Sequence, residues 1–447
     1  MLFRQFVDDD LGCASYLVGD EAAGVAVVVD PAYAIDQYLV EADRRGVGIV
    51  RVLETHTHAD HLSGHGRFAL ESGLPVCVHP AAEPEFPFEP LEEGAQLEVG
   101  EVVFRVLHTP GHRPEHCCFS VVDRSRGDEP WLVLTGDSLL IGDAARPDLA
   151  VEAREGAEGL FHSLRRLAEL ADGVEVYPGH VAGSLCGVGM SSKASSTIGF
   201  ERRFNPAFLA SRDLAEFISE RTRVSTPPPP NMERIVALNR GPFVGSPRPR
   251  EPVTSANGAA VLDVRREEEF ARGHVPGAIN VPVEATAFGT RAGFVLDPDV
   301  PVAIHASSAD AGDRAARNLR AVGFLDLLGY LVDVEAPERL EPVGLEELER
   351  LLATGDVELL DVREKDERDD GYVPGSRHLP YRSVGAWADE LGREKPVVTM
   401  CESGARASIA ASVLASRGVD ARPVLGTGIT DWKAQGKPTV SFRRCGS

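Results

Sequence analysis

The sequence predicts an α/β protein, in which a layered two-sheet domain precedes two smaller domains with mostly parallel sheets. Three observations predict it. Short apolar runs alternate with helical patterns along the whole chain, the signature of α/β layering. An internal repeat is confined to the C-terminal half. A polyproline stretch, Thr226-Pro227-Pro228-Pro229-Pro230, lies between the two regions and reads as a stiff linker. At 447 residues the chain exceeds one ordinary core, so several domains are expected.

In the N-terminal region, strand-like runs at 26–29, 102–107, 117–122 and 131–135 are separated by helical stretches such as 35–44 and 158–170. A short helical piece at 232–239 precedes a second Pro/Arg/Gly-rich run. The first domain is therefore expected over 1–240, with a Pro-rich linker over 226–250. Beyond it, Leu262-Asp263-Val264-Arg265 recurs as Leu360-Asp361-Val362-Arg363, and Gly273-His274-Val275-Pro276-Gly277 recurs as Gly371-Tyr372-Val373-Pro374-Gly375. Two copies of one domain, over 251–340 and 341–447, follow from that repeat.

The net charge of −23 argues against nucleic-acid binding and against an anionic membrane surface. Seven scattered cysteines show no disulfide framework or zinc-ribbon spacing, so reduced thiols are expected. The first ten residues show no signal-peptide pattern and no apolar run is long enough to cross a bilayer. A cytoplasmic enzyme is the expectation.

The chemistry starts at Thr55-His56-Thr57-His58-Ala59-Asp60-His61, directly after the apolar run 49–53. Three imidazoles and a carboxylate are costly to bury unpaired, so this turn reads as a metal site delivered by a strand. Three further ligand types stand after apolar runs: His112 in a Pro-Gly turn, Asp137 after 132–134, and His180 after 174–176. Loops at the carboxyl ends of strands are where α/β folds place chemistry.

This pattern resembles the metallo-β-lactamase superfamily, an αββα sandwich. The resemblance implies His56, His58 and His112 for one metal, Asp60, His61 and His180 for a second, and Asp137 as a bridge. With all seven present, a di-zinc thioester hydrolase of the glyoxalase II kind is the alternative reading. Against it stands the replacement of that family's helical C-terminal region by the repeated domains.

A nearer resemblance, to persulfide dioxygenases of the ethylmalonic-encephalopathy-protein type, is carried by Gly136-Asp137-Ser138-Leu139-Leu140-Ile141 and Ala145-Arg146-Pro147-Asp148. It implies one Fe(II) per chain on His56, His112 and Asp137, with His58, Asp60, His61 and His180 as vestigial second-metal positions. Two histidines and a carboxylate leave open positions on octahedral iron. The same resemblance puts Arg146 near the carrier part of the substrate. Cys186 lies in a long segment after His180 and is a candidate pocket residue.

At the other end, the run 397–400 delivers Cys401 to a loop, and a helical pattern starts near Ala405. Backbone N–H groups and the helix dipole at such an entrance favour a thiolate or persulfide, and Arg406 adds a full charge. Cys401-Glu402-Ser403-Gly404-Ala405-Arg406, with its flanking motifs, resembles the rhodanese sulfurtransferases, and the six-residue loop is their sulfur-accepting size. In copy one, Ala306 stands at the cysteine position and Ala311 at the arginine position, so that copy is expected to be catalytically silent.

Together these resemblances imply a bifunctional enzyme. Its N-terminal site would oxidise a low-molecular-weight thiol persulfide with O2 to sulfite and thiol. Cys401 would pass sulfane sulfur to sulfite, giving thiosulfate. A homodimer or homotetramer without nucleic acid or membrane partners is implied as well.

Overall fold

The computed structural model describes residues 1–181, 190–223, 227–248, 251–332, 334–391 and 394–442. They form two compact units, Met1–Pro247 with Arg320–Gly323, and Arg248–Leu319 with Phe324–Ser447.

The first unit holds two six-stranded sheets. One runs Leu2–Val7, Ala14–Asp20, Val25–Val29, Gly48–Leu53, Val76–Val78, Glu89–Pro90 in spatial order. The other runs Ser196–Thr197, Glu175–Pro178, Pro130–Gly136, Cys117–Asp123, Val102–His108, Gln96–Val99. Side-chain alternation explains the layering. Val27, Val29 and Leu53 face Phe104, Phe119 and Leu134 between the sheets. Ala26, Val28 and Val52 pack outward against Ile35, Tyr38, Ala42 and Phe68 around helices Asp36–Arg45 and His65–Ser72. On the opposite face Cys118, Val133 and Val176 meet Leu160 and Leu164 of helix Ala153–Leu167, and Phe217 of Leu214–Arg221. The result is helix, sheet, sheet, helix, as the sequence led us to expect.

Sequence periodicity misses the three short helices Ile198–Phe204, Pro206–Ala210 and Leu214–Arg221, each too short to show a stripe. It also reads the stretch after helix Met232–Arg240 as free linker. There the chain is held down instead. The Phe243 ring stacks on Phe86 at 4.3 Å, and Gly245 accepts a hydrogen bond from the Tyr33 hydroxyl at 2.7 Å. Aromatic burial outweighs the loop-like composition.

The second unit holds two parallel sheets. Four strands of one sheet match the four described strands of the other, and Pro252–Val253 adds a fifth to the first. Ile279–Asn280, Ala260–Asp263, Val302–His305, Leu327–Leu331 and Pro252–Val253 form one; Arg377–His378, Glu358–Asp361, Val397–Met400 and Ala421–Pro423 form the other. Equivalent ion pairs anchor both: Arg265 on Asp263 with a bond to the Gly273 carbonyl, Arg363 on Asp361 with a bond to the Gly371 carbonyl. The copies share a buried polar contact. Ser408 donates to Asn280 Oδ1 at 2.7 Å, and the Asn280 N–H donates to Ser412 Oγ at 3.0 Å. No helix among the described residues is long and apolar enough to cross a membrane.

Candidate active sites

The strand ends bring the N-terminal ligand types into three groups, each with donor atoms within 4.8 Å of one another: His56, His112 and Asp137; Cys13, Asp60, His61 and His180; and Asp30, Glu54 and His58. The grouping separates His58 from the other second-metal positions. Its ring still lies between those of His56 and His61, at 4.3 and 4.2 Å. Its Nε2, however, sits 3.3 Å from Asp30 and 3.2 Å from Glu54. Burial alone would depress the His58 pKa, but the two carboxylates outweigh it and hold it up at about 10.

In the first group the donors are aimed and free. Asp137 Oδ2 is buried with no hydrogen-bond partner, 3.5 Å from His112 Nε2 and 4.0 Å from His56 Nε2. An orphaned buried carboxylate oxygen is costly, and it faces two imidazole nitrogens at separations a metal ion would fit. Both rings are oriented from behind. His112 Nδ1 lies 3.0 Å from the Arg146 carbonyl. His56 Nδ1 lies 2.9 Å from Thr55 Oγ1, which donates to Asp30 Oδ2 at 2.8 Å. Each contact fixes the tautomer that leaves Nε2 as the ligand atom. Burial, then neighbouring imidazoles, push His56 well below its usual pKa; burial also lowers His112, against the pull of Asp137. Neutral imidazoles are the ligating form.

The second group is satisfied internally. His180 spans two carboxylates, with Nδ1 2.7 Å from Asp137 Oδ1 and Nε2 2.7 Å from Asp60 Oδ2. Cys13 closes it, its sulfur 3.3 Å from both His61 Nδ1 and His180 Nε2. Burial, then Asp60, raise the Cys13 thiol well above its usual pKa.

Two further residues hold these loops. The turn before Asp137 needs glycine: Gly136 has φ +46°, and a Cβ there would lie 2.5 Å from His116 Nε2. That nitrogen accepts the Asp137 N–H at 2.9 Å. Asn239 reaches in from helix Met232–Arg240. Its Nδ2 donates to the carbonyls of His58 and His61 at 3.0 and 2.8 Å, and its Oδ1 accepts the Ser63 N–H at 2.9 Å.

Cys13, Asp30, Glu54, His116 and Asn239 escape the sequence reading. Asp30 follows an apolar run and obeys the same strand-end rule as the ligands, so it was findable; Cys13 and Asn239 carry no local signal. Arg146 is committed to Asp148 through two bonds of 2.6 and 2.7 Å and to the Pro227 carbonyl at 2.9 Å. Cys186 lies outside the described residues.

In the second unit Cys401 is buried at the end of strand Val397–Met400 and helix Ala405–Ala415 starts four residues later. The Gly404 N–H points at the Cys401 sulfur at 3.2 Å. Gly404 has φ +116°, and a Cβ there would lie 2.9 Å from Gly426 N, so the loop can curl only with glycine. Arg406 forks onto Glu367 at 2.5 and 2.6 Å. Burial disfavours its charge, but Glu367 and then Cys401 hold its pKa above the usual value. In the first repeat His305 ends the equivalent strand, with Nδ1 3.2 Å from Asp263, and Ala306 follows.

Comparison with known proteins agrees with both halves. Residues 8–180 match the metallo-beta-lactamase superfamily, and residues 252–333 and 344–435 match the rhodanese-like domain. An uncharacterised protein of Mycobacterium leprae is 32% identical over 235 residues, covering 46% of this chain and 98% of that one. The mitochondrial persulfide dioxygenase ETHE1 of Bos taurus is 28% identical over 247 residues, covering 54% of this chain and 87% of the relative. A solved metallo-beta-lactamase from Staphylococcus aureus covers 75% of this chain and 98% of its own, at 29% identity and a TM-score of 0.68. The chain belongs to the metallo-beta-lactamase superfamily, has persulfide dioxygenases among its homologues, and carries two rhodanese-like domains behind its metallo-beta-lactamase domain.

Proposed function

We propose that the chain couples Fe(II)- and O2-dependent oxidation of a low-molecular-weight thiol persulfide, giving sulfite and thiol, to sulfur transfer through Cys401. Persulfide oxidation and sulfur transfer in general are supported by the ETHE1 relatives and by the rhodanese-like domains. The observation that carries the one-iron reading is the contrast between donor sets. His56 Nε2, His112 Nε2 and Asp137 Oδ2 converge on one point, while both nitrogens of His180 are already taken by carboxylates. That contrast disfavours the di-zinc thioesterase reading. When bound, Fe(II) would supply redox chemistry and open positions for dioxygen and the persulfide sulfur.

The chain's own residues then have separate tasks. Thr55 and the Arg146 carbonyl hold the two imidazoles in their ligating tautomers. His116 holds the backbone at Asp137. Cys401 takes sulfane sulfur from a second persulfide and passes it to sulfite, forming thiosulfate, while the Gly404 N–H and Arg406 stabilise charge on its sulfur. Tethering gives the second site a high local concentration of the sulfite made by the first.

Metal analysis with persulfide-dependent oxygen uptake tests this. One iron per chain and uptake lost in Asp137→Ala are expected, with sulfite accumulating in place of thiosulfate in Cys401→Ser. About two zinc per chain with no oxygen uptake refutes the oxygenase reading; undiminished thiosulfate from Cys401→Ser refutes the role of the loop.

A further inference from the structure

Arg146, the arginine expected to meet the carrier part of the substrate, is occupied: Asp148 and the Pro227 carbonyl take its Nε and both terminal nitrogens. Another guanidinium stands one residue past His112. Arg113 lies in the turn after Gly111, where its carbonyl accepts the Gly111 and His116 N–H groups at 3.3 Å each. Its Nε donates to Glu115 Oε1 at 2.7 Å, and the same oxygen accepts the Thr57 N–H at 3.2 Å. One carboxylate oxygen thus ties the guanidinium to the turn between His56 and His58. The Arg113 side chain is 11% exposed, and Glu115 is the carboxylate paired with it. Among the described residues neither terminal nitrogen of Arg113 donates a hydrogen bond. The pair therefore fixes the guanidinium plane through Nε and leaves the terminal N–H groups unused. The Arg113 charge is felt at both rings of the candidate iron site, where it disfavours a proton on His56 and on His112. Glu115 also lines the cavity that extends to His56, together with Thr57, Val78 and Phe86. A half-used fork held in one plane beside such a cavity suits one further partner, an oxyanion that accepts two parallel N–H bonds.

We propose that Arg113 is the residue that selects the carrier at the oxygenase site, taking an oxyanion of the thiol persulfide, a carboxylate or a phosphate, on its terminal nitrogens. This rests on the reading of His56, His112 and Asp137 as the site of persulfide oxidation. The sulfur to be oxidised has to reach the point where those three donors converge, and Arg113 follows one of them directly in the chain. Because Glu115 already holds the guanidinium, little freedom is lost when an oxyanion docks, and the pairing adds affinity for the carrier. Glu115 also tempers the net attraction, so the discrimination comes from the paired N–H geometry more than from bare charge. Lysine at this position would keep the charge and lose the fork.

The test uses the iron-loaded full chain and two matched pairs of persulfides. Those of N-acetylcysteine and N-acetylcysteamine differ only in a carboxylate; those of phosphopantetheine and pantetheine differ only in a phosphate. Oxygen uptake gives kcat and KM for each. The wild type is expected to favour the charged member of at least one pair by about tenfold in kcat/KM, the scale of a charge-assisted hydrogen bond. The difference should lie in KM, and the pair that shows it identifies the oxyanion. In Arg113→Gln the ratio should fall toward one, and in Arg113→Lys it should lie between the two values. A ratio taken within one protein cancels any loss of iron or fold common to both carriers. Titration calorimetry with the unreactive S-methyl analogue of the favoured carrier should show binding to the wild type and lose it in Arg113→Gln. No wild-type preference for either charged carrier, or a preference unchanged in Arg113→Gln, overturns the proposal. So does a preference lost only in Arg146→Gln. Absence of oxygen uptake with every persulfide refutes the dioxygenase reading itself, whereas uptake without a charge preference refutes only the role of Arg113.

Discussion

Replacing Asn239 by alanine removes three hydrogen bonds to the histidine turn without touching a ligand. The carbonyls of His58 and His61 lose their donor and the Ser63 N–H loses its acceptor. All three belong to buried residues, and each buried group left unsatisfied costs about 1–3 kcal/mol. Asn239 also borders a cavity shared with Glu54, His56 and His79, so water can replace part of what is lost. The expected destabilisation is therefore about 3 kcal/mol, the lower end of the sum. For a domain of this size that corresponds to a fall in Tm of roughly 6–12 °C. Iron should also be held more weakly, because the turn that carries His56 loses its clamp. Asn239→Asp should be worse: it keeps an acceptor for Ser63 but turns a second oxygen toward two carbonyl oxygens. Thermal melts and competition for iron against a chelator measure both effects. A loss below about 1 kcal/mol in the alanine variant, with iron affinity unchanged, would refute the clamp.

Thr55→Val preserves side-chain shape but leaves His56 Nδ1 without its partner; iron affinity should fall about tenfold to a hundredfold, and an unchanged affinity by chelator competition would show that Thr55 does not orient the ring. Glu367 is raised by burial but lowered more by Arg406, so its folded pKa lies below the ordinary 4.5. The unfolded chain then binds more protons at this site, and the pair's contribution to stability, present above about pH 4.5, is lost as pH falls through the depressed folded value. Urea midpoints should therefore fall more steeply on acidification in the wild type than in Glu367→Gln, and parallel curves would contradict the assignment.

Much of this architecture was legible because local and global signals agree. The alternation of Val25–Val29 between two cores, the strand-end placement of His56, His112 and Asp137, and the offset between Asp263 and Asp361 are all written in short stretches of chain. What stayed hidden depends on distant partners. Nothing near Cys13 in sequence announces that strand pairing will bring it to His180. Asn239 lies near the end of a short helical piece, and nothing in that piece announces the His58 and His61 carbonyls it meets. His58 belongs to a motif whose spacing says ligand, yet Asp30 and Glu54 compete for its ring. Arg146 shows the same limit, since the bidentate pairing with Asp148 is a matter of rotamer and not of sequence position.

The contact of Asn280 with Ser408 and Ser412 ties the first repeat to the helix that begins just after Cys401. Both hydroxyls are buried, so part of the polar interior of the repeat that carries Cys401 is completed by a residue of the other repeat. Replacing Asn280 therefore strips partners from the interior of its neighbour, and excising the first repeat would uncover the helix that follows Cys401.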